Sequence, residues 1–222
     1  MKKDYKHILF DFDGTLMDTS EGIFNSFDYA LEKLGMQKRE HSFYHKLVGP
    51  PLLDTFKNVF GMTEEGAQGA LELYREYYSP KGLYQVKLFE GIEELLHGLK
   101  TANKKLYVAT SKPEVYAKEL LASYNLLHLF TFVGGSNMAE TRVKKCEVIN
   151  YVIENANIQE EKSLCLMVGD RKYDVAGAKE AGIDCVGAEW GFGSKEELLS
   201  EGAIGTVKSC KDLLNQILHP QL

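Results

Sequence analysis

Two aspartates stand one residue apart where a short apolar run ends. In HILFDFDGTLMDTS (residues 7–20), Ile8, Leu9 and Phe10 lead into Asp11, Phe12 and Asp13, and Gly14–Thr15 then turns the chain. Acids this close repel each other and lose hydration beside a core. A bound cation together with a reaction is one compensation. A third acid, Asp170, ends the apolar run SLCLMVGD, and Asp174 follows it by one helical turn. Oxygen-only ligands favour a hard cation such as magnesium, which keeps waters and binds through few carboxylates. The pair Thr110–Ser111 closes KLYVATS, where small hydroxyls and backbone amides suit phosphate oxygens. Lys145 opens a later helical segment and can add positive charge. A cation, a lysine and hydroxyl donors around Asp11, Asp13 and Asp170 form a site for a phosphoryl group, whose transfer depends on positioning and charge neutralisation.

Taken singly, each residue has a plainer reading. Asp11 and Asp13 could be a solvated turn, Thr110 and Ser111 the caps of a helix near Pro113, Asp170 another N-cap, and Lys145 an exposed face residue. Their placement argues otherwise. From residue 92 onward the pattern alternates: IEELLHGLK helical, KLYVAT strand, PEVYAKELLASY helical, LFTFVGG strand, KCEVINYVIENA helical, SLCLMVGD strand, VAGAKEAG helical, DCVGAE strand. Such alternation implies right-handed βαβ units and a parallel sheet covered on both faces. Ligands of open parallel sheets bind beyond the carboxyl ends of the strands. Those ends carry Asp11 and Asp13, Thr110 and Ser111, Gly134 and Gly135, and Gly169 and Asp170. Convergence at one edge favours a site.

The first strand is separated from these units by a helical block. EGIFNSFDYALEKLG places Ile23, Phe24, Phe27, Leu31 and Leu34 at helical spacing, and Gly49–Pro50–Pro51 and SPKG (79–82) interrupt the pattern further on. The fold class expected is α/β, a doubly wound parallel sheet with a helical domain inserted after the first strand. Residues 1–15 and 86–222 form the core and 16–85 the insert.

The net charge of −6 argues against nucleic acid or an anionic membrane as partner, since both reward clustered Lys and Arg. No apolar run is long enough to span a bilayer. Cys146, Cys165, Cys185 and Cys210 form no CxxC pair and read as core filler, so a reducing cytoplasm is expected. His41 and His45 have i, i+4 spacing without an evident third ligand, and read as a solvated helix face.

Four segments, FDFDGTLMDT, VATSKP, the Lys145 stretch KKCEVI and MVGDRKYDVAGAKEAG, resemble the four signature motifs of the haloacid dehalogenase (HAD) superfamily. The resemblance is strongest to its phosphoglycolate-phosphatase-like and bacterial 5'-nucleotidase-like members. It covers nearly the whole chain, including WGFGSKEEL and VGPPL. It implies a phosphatase acting on small phosphate monoesters, with Asp11 as nucleophile and Asp13 as general acid and then base. By the same resemblance Thr110, helped by Ser111, holds the phosphoryl group. Lys145, rather than the adjacent Lys144, offsets its charge. Magnesium (Mg2+) is bound by Asp11, the backbone carbonyl of Asp13, and Asp170, with Asp174 behind them. Tyr173 stands where close relatives often carry histidine. A monomer or homodimer is expected.

Other readings make different demands. A haloalkanoate dehalogenase does not need an acid at position 13. A sugar phosphomutase shares the core motifs and differs in the cap, where a second phosphate must be recognised. The insert has Lys46, Lys57 and Arg75 but no clustered basic motif. A phosphorylation-dependent receiver domain is roughly half this length and lacks such an insert.

Overall fold

The computed structural model of the chain describes residues 3–138 and 141–220. It opens with β1 (His7–Phe10), in which all four residues are buried. A strand covered on both faces needs no polar alternation. A tight turn leads to β2 (Met17–Asp18), and α1 (Ser20–Lys33), α2 (His41–Tyr44), α3 (Leu52–Asn58) and α4 (Glu64–Tyr78) follow before β3 (Lys87–Leu88). Helix and strand then alternate through α5 (Ile92–Thr101), β4 (Lys105–Pro113), α6 (Glu114–Ser123), β5 (Phe132–Ser136), α7 (Lys145–Asn155) and β6 (Cys165–Gly169). The chain continues through α8 (Lys172–Ala181), β7 (Asp184–Ala188), α9 (Lys195–Glu201), β8 (Thr206–Val207) and α10 (Cys210–Leu218).

Among the described residues the main sheet runs β5–β4–β1–β6–β7–β8, with every neighbouring pair parallel. This is the α/β parallel sheet that the alternating pattern implies. From β1 the order steps outward through β4 and β5 on one side and through β6, β7 and β8 on the other. The reversal falls beside β1, where open sheets bind ligands. Beyond DCVGAE the sequence reading names no element, and the structure adds α9, β8 and α10. Ser194 and Ser209 cap the two helices by accepting the N–H groups of Glu197 and Asp212, each at 3.1 Å.

The chain divides into two compact units. One joins the residues up to Met17 with those from Leu88 onward and contains the main sheet; the other is Asp18–Lys87 and contains α1 to α4. The sequence pattern draws the insert as 16–85, whereas the structural division falls within β2 and β3, which pair with each other in a separate two-stranded sheet. In the sheet unit, Leu9, Tyr107, Met167 and Cys185 pack with Val148, Ile149 and Val152 of α7 and Val175 and Ala178 of α8. All four cysteines are buried free thiols. No described helix is long and apolar enough to cross a membrane.

The helical unit has its own aromatic core. Ile23, Phe24, Phe27 and Leu31 recur every three or four residues, which lines them along one buried face of α1. Phe27 is fully buried, and its ring centroid lies 5.2 Å from that of Tyr74, 5.4 Å from Tyr44 and 5.5 Å from Phe56. α3 begins directly after Gly49–Pro51, and Thr63 caps α4 by accepting the Gly66 N–H at 3.2 Å. His41 and His45 are exposed, with their rings beside Phe24.

Removing a large ring from such a centre costs about 3–5 kcal/mol. Phe27→Ala should therefore shift the denaturation of Asp18–Lys87 by that amount, read by proteolytic susceptibility of this segment in urea. Unchanged resistance would mean that α1 does not anchor this unit.

Candidate active site

Three neighbouring strands carry the acids and a hydroxyl to one edge. β1 lies between β4 and β6, with Phe10 level with Val108 and Val168. The Asp11 N–H continues the ladder to the Val168 carbonyl at 2.9 Å, so Asp11 leaves the sheet in register with its neighbours. Thr110 and Asp170 leave the adjoining strands at the same edge. Gly14 then turns the chain at φ +86°, and a Cβ there would stand 2.3 Å from Asp170 Oδ2. Only glycine meets both demands.

Among the described residues, carboxylate oxygens of Asp11, Asp170 and Asp174 lie within 4.8 Å of one another, and all three side chains are buried. The expected meeting of Asp11, Asp13 and Asp170 is thus changed in one member. α8 starts at Lys172, and the N–H of its N-cap Arg171 donates to Asp174 Oδ2 at 3.0 Å. That bond folds the Asp174 carboxylate back over the start of the helix and into the cluster. The carboxylate of Asp13 turns instead to Lys112, whose Nζ donates to Asp13 Oδ1 at 3.0 Å. Asp170 is not a helix cap; it accepts from Thr15 Oγ1 at 2.9 Å and from the Phe192 N–H at 2.8 Å. Trp190 Nε1 donates to the Thr15 carbonyl at 3.0 Å, so the late WGFG segment holds this side of the site.

Lys145 is buried at the first position of α7. Its Nζ lies 2.7 Å from Asp11 Oδ1 and 2.8 Å from Asp174 Oδ1, and donates to the Ala109 carbonyl at 3.2 Å. Lys144, one residue earlier, is the exposed N-cap of the same helix. Thr110 Oγ1 accepts the Lys112 N–H at 3.1 Å and keeps its own proton for another acceptor. Ser111 donates its hydroxyl proton to the Val143 carbonyl at 3.0 Å, tying β4 to the segment that leads into Lys145. Gly134 and Gly135 serve packing: a Cβ on Gly135 would meet the Lys112 carbonyl at 2.5 Å, and one on Gly134 would meet Val152 at 2.5 Å.

The electrostatics follow from burial. Burial raises the Asp11 carboxyl, Lys145 opposes the shift and Asp174 adds to it, leaving Asp11 pushed up to about 6. Burial, then the charges of Asp174 and Asp11, hold Asp170 well above the usual carboxylate range. Burial alone would lower the Lys145 ammonium, but Asp11 and Asp174 outweigh it and raise it. With all three carboxylates ionised, one ammonium leaves two negative charges without a balancing cation in the cluster. Asp11 Oδ1 and Asp174 Oδ1 are both buried and share the one Lys145 ammonium. Buried oxygens of this kind, in an all-carboxylate set, fit a hard divalent cation.

A family model described as Haloacid dehalogenase-like hydrolase matches residues 8–188. A 5'-nucleotidase from Pseudomonas aeruginosa is 41% identical over 217 residues, covering 97% of this chain and 96% of that protein. Tyrosine-protein kinase PtkA from Mycobacterium tuberculosis is 37% identical over 186 residues, and the match spans 84% of this chain but 62% of that longer protein. A crystal structure described as a predicted phosphatase from Clostridium acetobutylicum superposes with a TM-score of 0.93 at 40% identity, covering 97% of this chain and 99% of that one.

The raised carboxyls fix the sign of a pH effect. A group whose folded pKa exceeds its unfolded one contributes stability that is present below the unfolded pKa and lost as pH rises through the folded pKa. Without divalent cation at pH 7.5, Asp170→Asn should melt above wild type by about 2–4 °C, the shift for roughly 1 kcal/mol of relieved repulsion in a chain this long. The gap should shrink below about pH 6, where Asp11 in the wild-type cluster takes up a proton. Added magnesium should raise the melting point of wild type and not of the variant. Equal melting at both pH values would remove the basis for a charge-strained cluster.

Proposed function

The chain belongs to the haloacid dehalogenase-like hydrolase family, and from that premise we propose that it is a magnesium-dependent phosphatase releasing inorganic phosphate from small phosphate monoesters. The observation that carries the reading is the Lys145 ammonium set 2.7 Å from Asp11 and 2.8 Å from Asp174, beside a third buried carboxylate. A structural ion pair would need one acid; this site gathers three and leaves charge for a cation to balance.

In this reading Asp11 Oδ attacks phosphorus, the P–O bond to the leaving group breaks, and Asp13 protonates the departing oxygen. The aspartyl phosphate is then attacked at phosphorus by a water that Asp13 deprotonates, which frees phosphate and regenerates Asp11. Lys145 offsets charge on both the nucleophile and the transferred group. Thr110 offers its hydroxyl proton to a phosphoryl oxygen, and Ser111 steadies the segment that precedes Lys145. Asp11, Asp170 and the Asp13 carbonyl would hold magnesium, with Asp174 behind them; when bound, the ion supplies charge neutralisation for the phosphoryl oxygens. Lys145 is preferred over Lys144 because it alone of the two is buried against the acids.

The helical unit Asp18–Lys87 is read as a cap that selects the leaving group, with Gly49–Pro51 shaping selectivity. Nucleoside 5'-monophosphates are the first substrates to try, given the 41% identity to a protein named 5'-nucleotidase.

The test is phosphate release across nucleoside monophosphates, 2-phosphoglycolate, sugar phosphates and phosphotyrosine, with magnesium and with chelator. Release that needs magnesium is expected for at least one of them, and full activity in chelator would overturn the metal assignment. A sugar 1-phosphate given with a bisphosphate primer should yield phosphate; rapid isomer formation instead would establish a mutase.

Two substitutions check the residue roles. Asp11→Asn should lower kcat by more than about a thousandfold while the protein stays folded. A variant keeping a tenth of wild-type turnover would exclude Asp11 as nucleophile. Lys145→Ala should cost far more activity than Lys144→Ala at matched stability, and the reverse order would transfer the role.

A further inference from the structure

Lys112 has no part in the mechanism so far, yet it is among the most enclosed charges of the sheet unit. Its side chain is 3% exposed, and its Nζ donates to Asp13 Oδ1 at 3.0 Å, where the Asp13 side chain is 16% exposed. The ammonium also lies 5.6 Å from the centroid of the Phe12 ring, which occupies the position between the two motif aspartates. Three of the four acids at this edge are therefore divided between two lysines. Lys145 touches Asp11 and Asp174, and Lys112 touches Asp13.

Local backbone explains how Lys112 comes to be there. The pairing of β4 with β5 is regular up to Ala109–Gly134 and shifts register before Pro113–Ser136. A register break of this kind re-aims side chains at a strand end. Residues 110–112 lie in that break, and the Lys112 N–H is given to Thr110 Oγ1 at 3.1 Å. One residue thus contacts both groups that flank Asp11: its backbone fixes the Thr110 hydroxyl and its side chain fixes the Asp13 carboxylate. Without a cation beside it, the Asp13 carboxylate stands two residues along the chain from Asp11, whose cluster carries excess negative charge. A buried ion pair with one hydrogen bond selects a single rotamer and costs most when half of it is removed.

We propose that Lys112 is a positioning residue, which holds the Asp13 carboxyl apart from the Asp11–Asp170–Asp174 cluster and aimed to exchange a proton with the leaving oxygen. This rests on the reading of Asp13 as the general acid. The step it serves is the first one, entered with a proton on Asp13 Oδ2 while Oδ1 accepts from Lys112: the P–O bond of the ester breaks, the phosphoryl group passes to Asp11, and the Asp13 proton goes to the departing oxygen.

Leaving groups separate positioning from plain stability. An alkyl phosphate needs protonation of its departing oxygen, whereas 4-nitrophenyl phosphate releases a phenolate that does not. Since kcat/KM reports the steps through formation of the aspartyl phosphate, Lys112→Met should lower it for an alkyl phosphate by at least about tenfold more than for 4-nitrophenyl phosphate. In an Asp13→Asn background the same substitution should no longer change the ratio between the two substrates. Equal losses on both substrates, or no loss on either, would overturn the proposal. Should the Met variant not fold, Lys112→Gln decides: it is shorter and carries no charge, so an alkyl-to-aryl ratio equal to wild type would also overturn it. Wild-type protein that hydrolyses neither substrate, nor any monoester of the wider screen, would instead sink the phosphatase reading on which this rests.

Discussion

A buried ammonium held between two carboxylates governs this structure. Lys145 sits at the first position of α7, the end of a helix where a cation is least favoured, because the unpaired N–H groups already make that end positive. It is also buried, which disfavours charge again. Asp11 and Asp174 have to outweigh both penalties, and at 2.7 Å and 2.8 Å they do, since Lys145 ends with a raised pKa. The two acids come from different elements, one extending β1 and one in the first turn of α8. Helix and strand placement must therefore be right together. Removing the ammonium would leave the carboxylates unbalanced in a poorly solvated place, which is the costly way to break a buried ion group.

The surrounding structure serves that requirement. Asp170 is not touched by Lys145 in this arrangement; it depends on Thr15 Oγ1 and on the Phe192 N–H. These donors come from residues far apart in the chain, the turn after β1 and the loop after β7. Trp190 joins the two by donating to the Thr15 carbonyl. The loop is thus part of the site's support, although it contributes no residue to the acidic cluster.

Much of this was legible in the sequence because strand ends announce themselves. Apolar runs that stop at Asp11, Thr110 and Asp170 mark one edge of a parallel sheet, and the sheet order β4–β1–β6 sets those three side by side. Two points were not legible. The exchange of Asp13 for Asp174 in the carboxylate cluster depends on a backbone hydrogen bond from Arg171, which aims Asp174 backward; spacing gives its turn but not its direction. Lys112 was hidden because KLYVAT reads as a strand ending at Thr110, while the chain continues through a register break to Pro113. The elements after β7 did carry a signal. Ser194 followed by Glu197, and Ser209 followed by Asp212, are helix-start spacings, and both serines cap. The two-residue β8 carried none.

The segment Asp18–Lys87 is one uninterrupted stretch with its own aromatic core, and the strands at its two ends, β2 and β3, pair with each other. A segment closed in this way is inheritable as a cassette. It can be lengthened, recombined or replaced through two neighbouring junctions without cutting any strand of the main sheet. The turn beside the acids has no such latitude: even one added carbon at Gly14 would collide with Asp170. Reshaping these 70 residues would leave the acid-bearing strands and their charge arrangement untouched.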